Sequence, residues 1–533
     1  MRTAALVAVI AALAGGVDGG DGARAQGAPS RQWRPEERVL LTDLSRVTAV
    51  AVTQSYVFAA TREALAVYDR GWGSLRETLG RADGFPGTVT AMVADPSDDT
   101  AWMAGNGTWA AYHPFGRRFD TGVLPGFADL VVLAAGDPSQ GAYFRTQSGW
   151  FFVRKNAGGA EFAPAGPPPG RRIAPLTQRD LLAQAPGLDA VRLSIERDDQ
   201  LRMTPMTAAA LSSVRGEAYV GTDGNGVFRV DLTSYRADRL PAGLLGTATG
   251  AVAVERDQVC AGTDARAGSI RRGVTCFRQD FADFHYLTGG NPLAGLPGTE
   301  VRRVALTRSA VWAATNAGLL RLPRGGGAAR QFLERDGLPS GDVYALAPAP
   351  DGQWVGTSLG LAVAPDDGAR APAERVASIG AGVLALAVTD DTLWIGSAAG
   401  LLVLMPGQST PLVVQPDVPS FRAPFVALAV KGDTILAATT TRIALRTGGE
   451  WRLLDPPGTP IGRFTAAAAD AQGFWLGGDQ GLAFYQPGTG VWRALTSTGD
   501  LPLPVMDVAA GGDYVWVATP GGLVRFLRRV LAP

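Results

Sequence analysis

The chain repeats one hydrophobic phrase. Residues 343–363 carry it most clearly: apolar and small residues alternate from Val343 to Ala347, Asp351-Gly352 makes a turn, Trp354-Val355-Gly356-Thr357 follows, and Gly360 opens a third run. A period near two, in short runs between Gly, Pro and Asp punctuation, predicts β-strands and not helices. The phrase recurs at 301–322, 383–404 and 505–526, and further copies centre on Phe58, Trp102, Phe144, Val220, Ala261, Ile435 and Trp475, eleven in all. From Thr315 the equivalent small residues fall at Thr357, Ser397, Thr439, Gly478 and Thr519, in steps of 42, 40, 42, 39 and 41.

Four short strands in every forty residues match one blade of a β-propeller. The expected fold is therefore all-β, with about 11–12 four-stranded blades. One ring ordinarily holds four to eight blades, so two rings are expected, their division not readable from the sequence. The last copy leaves little chain for an outer strand, while Arg38-Val39-Leu40-Leu41 aligns with the outer strand of other copies. The N-terminal strand is thus expected to close the last blade, which removes an unpaired edge.

Gly337-Leu338-Pro339, then Asp342-Val343 and Ala345-Leu346, then Trp354-Val355-Gly356-Thr357 with Gly360-Leu361, resembles the two-component regulator propeller repeat. The resemblance spans nearly all of 38–530 and implies a propeller and a ligand-binding sensor role in the periplasm, as in some bacterial histidine kinases. The repeated residues are structural, so no site residue carries over. Ala60, Ala314, Ala438 and Ala518 stand where the repeat has Gly, and the copy at 144–146 is degenerate. No transmembrane helix or kinase is expected after the last copy, which would depart from the family's layout.

Two stretches break the rhythm. Arg2, an apolar run from Ala4 to Ala14 and the small residues around Ala23-Arg24-Ala25 form the layout of a secretory leader. Residues 1–25 are read as that signal peptide, cleaved between Ala25 and Gln26, with 26–37 a flexible N-terminus and 38–533 the blades. Localisation is expected to be periplasmic or secreted, with no membrane span in the mature chain. Between Thr146 and Thr222 the step is 76, nearly two periods. Residues 164–203 are read as an insertion with a short helix, marked by Thr177 and Asp180 in capping-box spacing; a decayed twelfth blade is the alternative. A smaller excess near 289–298 reads as a loop.

Composition narrows the chemistry. The 49 basic and 49 acidic side chains cancel, and the basic ones are almost all Arg, so no nucleic-acid partner is expected. Only two cysteines are present. Aligning the hairpin of their copy sets Cys260 opposite Cys276, within disulfide reach, with buried thiols or a redox pair as the alternatives. His113 and His285, the only histidines, lie in different copies without metal-ligand spacing. Thr222-Asp223-Gly224-Asn225-Gly226 has only the start of a calcium loop and reads as a turn. The recurrent Trp102, Trp312, Trp354, Trp394, Trp475 and Trp516 read as packing between blades and not as a stacking stripe for a sugar or quinone. No cofactor and no catalytic or metal-binding residues are assigned.

The leading reading is an exported, non-catalytic β-propeller that binds a small-molecule or glycan ligand, or an envelope protein partner, on loops at one face. The alternative is a carbohydrate- or peptide-processing enzyme whose carboxylates come from different blades.

Overall fold

The computed structural model describes residues 33–531 apart from 35, 135–140, 157, 171, 185, 199–200, 213–215, 265–272, 289–299, 325–328, 367–371, 377–378, 456–459 and 497. The leader, its Ala25–Gln26 cleavage point, residues 26–32 and the loop at 289–298 lie outside the described residues. From Trp33 onward the N-terminus is anchored: the Trp33 indole donates to Asp500 at 2.7 Å and its ring lies 5.4 Å from that of Phe526.

The fold is all-β and built of antiparallel four-stranded units, one per sequence repeat, as in propeller blades. In chain order sheets 1 to 11 occupy 49–80, 89–123, 128–162, 206–239, 249–288, 301–332, 343–375, 383–413, 425–454, 464–495 and 507–527. Sheets 2 and 3 are joined in one seven-stranded sheet because two long strands each serve twice. Ala101–His113 pairs through 101–105 with one neighbour and through 108–113 with another. Trp102 and Trp109 have ring centroids only 6.2 Å apart, whereas seven extended residues would span roughly 23 Å, so the chain reverses between them. Gly107, at φ 73°, allows that reversal. Arg118–Ala134 likewise ends sheet 2 and begins sheet 3. Sheet 11 takes its fourth strand from the other end of the chain: Arg38–Leu41 pairs with Gly522–Leu527, Arg38 opposite Phe526.

Local chemistry explains the repeated residues. The Thr ending the second strand closes the following turn: Thr315 donates to the Gly318 carbonyl at 2.7 Å, Thr357 to Gly360 at 3.0 Å and Thr519 to Gly522 at 2.7 Å. The glycine that receives it sits at φ 138°, 141° and 133° in these three turns, where a side chain would be strained. The six repeated tryptophans each lie in a hydrophobic cluster between sheets, Trp312 and Trp516 fully buried.

Contacts between first strands order the sheets. From sheet 5 to sheet 11 each first strand lies against the next, and that of sheet 11 lies against that of sheet 5. Sheets 1, 2 and 3 follow one another in the same way, and sheet 4 packs against sheet 1. A recurring bond shows the relation. Thr90 of sheet 2 donates to the Ala128 carbonyl of sheet 3 at 2.9 Å, and Thr465 of sheet 10 to Val505, entering sheet 11, at 2.7 Å. Thr207 of sheet 4 donates to Val47, entering sheet 1, at 2.7 Å. Sheet 4 therefore precedes sheet 1 in space although it follows sheet 3 in sequence. Residues 172–176 bridge sheets 3 and 4: Ile173 pairs with Leu133 and Leu176 with Ala209.

The segment that includes this bridge holds two helices where the sequence marked one. Thr177 and Asp180 bond reciprocally at the start of Gln178–Gln184, and a second helix, Asp189–Ile195, follows the Pro186-Gly187 turn. Leu181, Leu188 and Ile195, spaced seven apart, are all buried against sheet 4.

One inter-sheet contact breaks the repeat rule. The residue after the first-strand bulge is Ala in eight repeats and Leu130 in a ninth; the exceptions are Arg303 and Asp507. They bond to each other across sheet 5, whose Val252 amide donates to the second Asp507 oxygen at 3.1 Å. Asp507→Ala strands the Arg303 guanidinium and that amide, and is expected to cost about 2 kcal/mol. The double variant Arg303→Ala/Asp507→Ala restores the common residue and is expected to recover most of the loss in denaturant midpoint; failure to recover would separate the two residues.

Candidate functional site

Two connections run between sheets 5–11 and sheets 1–4, one at 42–48 and one at 240–248, and they are stitched together. The Leu44 amide donates to the Ala242 carbonyl at 3.0 Å and the Leu244 amide to Thr42 at 2.9 Å. A Cβ at Gly243 would lie 2.2 Å from the Thr42 carbonyl oxygen, and its φ is 67°, so only glycine fits this crossing. Ser45 is tied to sheet 4 by accepting the amides of Gly224 and Gly226 at 2.9 and 2.8 Å.

Beside this crossing opens a cleft of about 590 Å³. Its walls come from six stretches: 43–46, 61–63, Asp198 with 202–205, 223–224, 247–248 and 520–521. Three are the repeat's own Thr-closed turns, those after Thr61, Thr222 and Thr519. A fourth, Asp198 with 202–205, follows the second helix, near whose end the Asn225 side-chain amide donates to the carbonyls of Ile195 and Arg197 at 3.2 and 3.0 Å.

The lining is charged in both senses. Arg46 meets Asp223 at 2.8 Å, and this bond, with a smaller push from nearby Arg62, holds the Asp223 carboxyl below the usual range. The Arg46 guanidinium is raised in turn, chiefly by the same bond. Arg202 meets Asp198 at 2.8 Å, and Asp43 accepts the Ser45 amide at 2.9 Å. The hydroxyls of Ser45 and Thr204, side chains 1% and 5% exposed, have no hydrogen-bond partner among the described residues. An Asp223 held ionised by Arg46 suits anchoring, not proton donation.

The residues marked from sequence lie elsewhere or serve structure. Cys260 and Cys276 are joined by a disulfide and pair directly in the ladder of sheet 5. His113 contacts Asp120 at 2.9 Å and Thr100 at 3.2 Å, while His285 pairs with Cys276 on the outer side of the same sheet. In the Thr222–Gly226 turn the polar groups face protein partners: Asp223 faces Arg46 and Asn225 the carbonyls of Ile195 and Arg197. A second polar cluster joins sheets 6 and 7: Arg302 lies 3.2 Å from Glu300 and 2.5 Å from Asp342, which accepts the Tyr344 hydroxyl at 2.7 Å. Its groups bond to one another, which makes it a clamp between sheets.

Arg62 and Glu63 were missed as site residues, although a signal existed. Equivalent turns carry Asn316-Ala317, Ser358-Leu359, Ala398-Ala399 and Pro520-Gly521; an adjacent pair of opposite charges is a departure from the repeat.

No protein-family model matches the chain, and no curated protein sequence matches it. Solved structures that are similar include the extracellular domain of a hybrid two component system from B. thetaiotaomicron, 12% identical, covering 90% of this chain and 69% of that one at a TM-score of 0.43. Another is virginiamycin B lyase from Staphylococcus aureus, 15% identical over 52% of this chain and 94% of that one, with a TM-score of 0.43. A third is the computationally designed Ika8 protein, 14% identical over 61% of this chain and 96% of that one, with a TM-score of 0.39. Likeness at this level leaves the chemistry to the chain's own residues.

Proposed function

We propose that the chain is an exported, non-catalytic β-propeller binding protein that holds a small polar ligand in the cleft beside the chain crossing. Sheets 5–11 would form a seven-bladed ring closed by the Arg38–Leu41 strand. Sheets 4, 1, 2 and 3 would form a second, smaller assembly completed by residues 172–176, so that 164–203 acts as an insertion and not as a twelfth blade. Residues 1–25 would be the leader that directs export, and the Cys260–Cys276 bond suits an oxidising compartment.

The observation that carries the binding role is the cleft itself. Six stretches distant in sequence converge on a cavity walled by three arginines and four carboxylates, with the Ser45 and Thr204 hydroxyls buried and unsatisfied among the described residues. The test is calorimetric titration of the processed chain with panels of small polar metabolites. One chemical class is expected to bind at one site per chain, and Arg46→Ala is expected to weaken it at least tenfold. Binding that ignores Arg46→Ala, or no binding by any class, would overturn the reading.

A further inference from the structure

The charges in the cleft are not all alike. Arg46 is committed to Asp223 and Arg202 to Asp198, while Asp43 is occupied by the Ser45 amide. Arg62 and Glu63 differ: both are exposed at the cleft wall, and neither side chain forms an ion pair or a side-chain hydrogen bond with another described residue. They are neighbours in the chain, with α-carbons about 3.8 Å apart, on a turn whose backbone is fixed by Thr61. The cleft wall therefore carries, on adjacent residues of one turn, a positive and a negative charge outside any direct ion pair, although the Arg62 charge reaches Asp223.

The rest of the wall agrees. No aromatic ring lines the cleft among the described residues, so there is no stacking platform for a sugar ring or a base. We infer that the cleft takes a zwitterion: a small molecule with a carboxylate and an ammonium group close together, as in a free α-amino acid or the paired termini of a short peptide. The carboxylate faces Arg62, a planar donor suited to two-point contact, and the ammonium faces Glu63. This rests on the cleft being a binding site.

The test uses the processed full-length chain and calorimetry with named probes: glycine, glutamate and alanylalanine; glucose and glucuronate; succinate. Binding is expected from the first group alone. It should weaken about tenfold on N-acetylation or on amidation of the carboxylate, and about tenfold in Arg62→Ala and Glu63→Gln, whose thermal midpoints should stay at the parent value. Selective binding of glucose, glucuronate or succinate that is lost in Arg46→Ala would overturn the zwitterion while the cleft stands. Equal binding of glycine and its N-acetyl form would also overturn it. No binding by any probe or wider panel would remove the cleft reading and this inference together.

Discussion

A chain trimmed to begin at Asp43 is expected not to reach the folded state, whereas one that begins at Trp33 folds normally. The strand Arg38–Leu41 buries Val39, Leu40 and Leu41, and burying such side chains contributes roughly 2 kcal/mol each, about 6 kcal/mol together. Arg38 adds bonds to the Asp500 carbonyl at 2.6 Å and to Asp83 at 3.1 Å. Net stabilities of whole proteins run at about 5–15 kcal/mol, so the loss is of the same size as the total. Removing the strand also bares the edge of Gly522–Leu527, a template for association. Size-exclusion chromatography and urea titration of the two truncations check this; a monodisperse, cooperative protein starting at Asp43 would refute the closing role.

Glu217→Ala should be the most damaging single substitution among the inter-sheet ion pairs. Glu217 lies where sheet 4 meets sheet 1, with a side chain 9% exposed, and binds Arg70 of sheet 1 at 3.0 Å, Arg229 at 2.7 Å and the Tyr219 hydroxyl at 3.2 Å. Arg70 is itself only 10% exposed, so alanine leaves a buried cation without its carboxylate, a change that costs about 3–5 kcal/mol. An Arg70→Met/Glu217→Leu pair, which removes both charges, is expected to regain most of that. Burial pushes the Glu217 carboxyl up, but the Ser212 hydrogen bond and the guanidiniums of Arg229 and Arg70 outweigh it and hold it below its ordinary value. A carboxyl depressed in the folded state contributes stability above its unfolded pKa, near 4.3, and loses it as pH falls through the lower folded value. Unfolding midpoints of the parent should therefore drop more steeply below about pH 4 than those of Glu217→Gln; parallel curves would contradict the assignment.

Much of the architecture is legible because it is written locally. In most copies a Thr or Ser closes a short turn onto the residue that opens the third strand, so the repeat states its own hairpin, and the same alignment across the longer Thr263–Gly273 connection placed Cys260 opposite Cys276. The Thr177–Asp180 signature lies at a helix start for the same reason. What escaped is non-local. Thr207 bonds to Val47, 160 positions away, and nothing in either copy announces that sheet 4 stands before sheet 1. The second helix was hidden behind Pro186-Gly187, although Leu181, Leu188 and Ile195 share a spacing of seven. The cleft was illegible as a whole, since its walls are connections and turns. Arg303 and Asp507 were in plain view as the charged exceptions in a column of alanines, and opposite exceptions in one column are a reason to look for a contact.

The nesting of sheets 1–4 between Arg38–Leu41 and its partner has a consequence for how the molecule is made. Arg38–Leu41 must stay extended until nearly five hundred further residues have appeared, because its partner Gly522–Leu527 lies that far along the chain. The smaller group can assemble meanwhile, leaving a sticky leading ribbon that needs shielding, and the final latch comes late. Chaperones that hold extended apolar segments should therefore matter to yield more than to the endurance of the finished article.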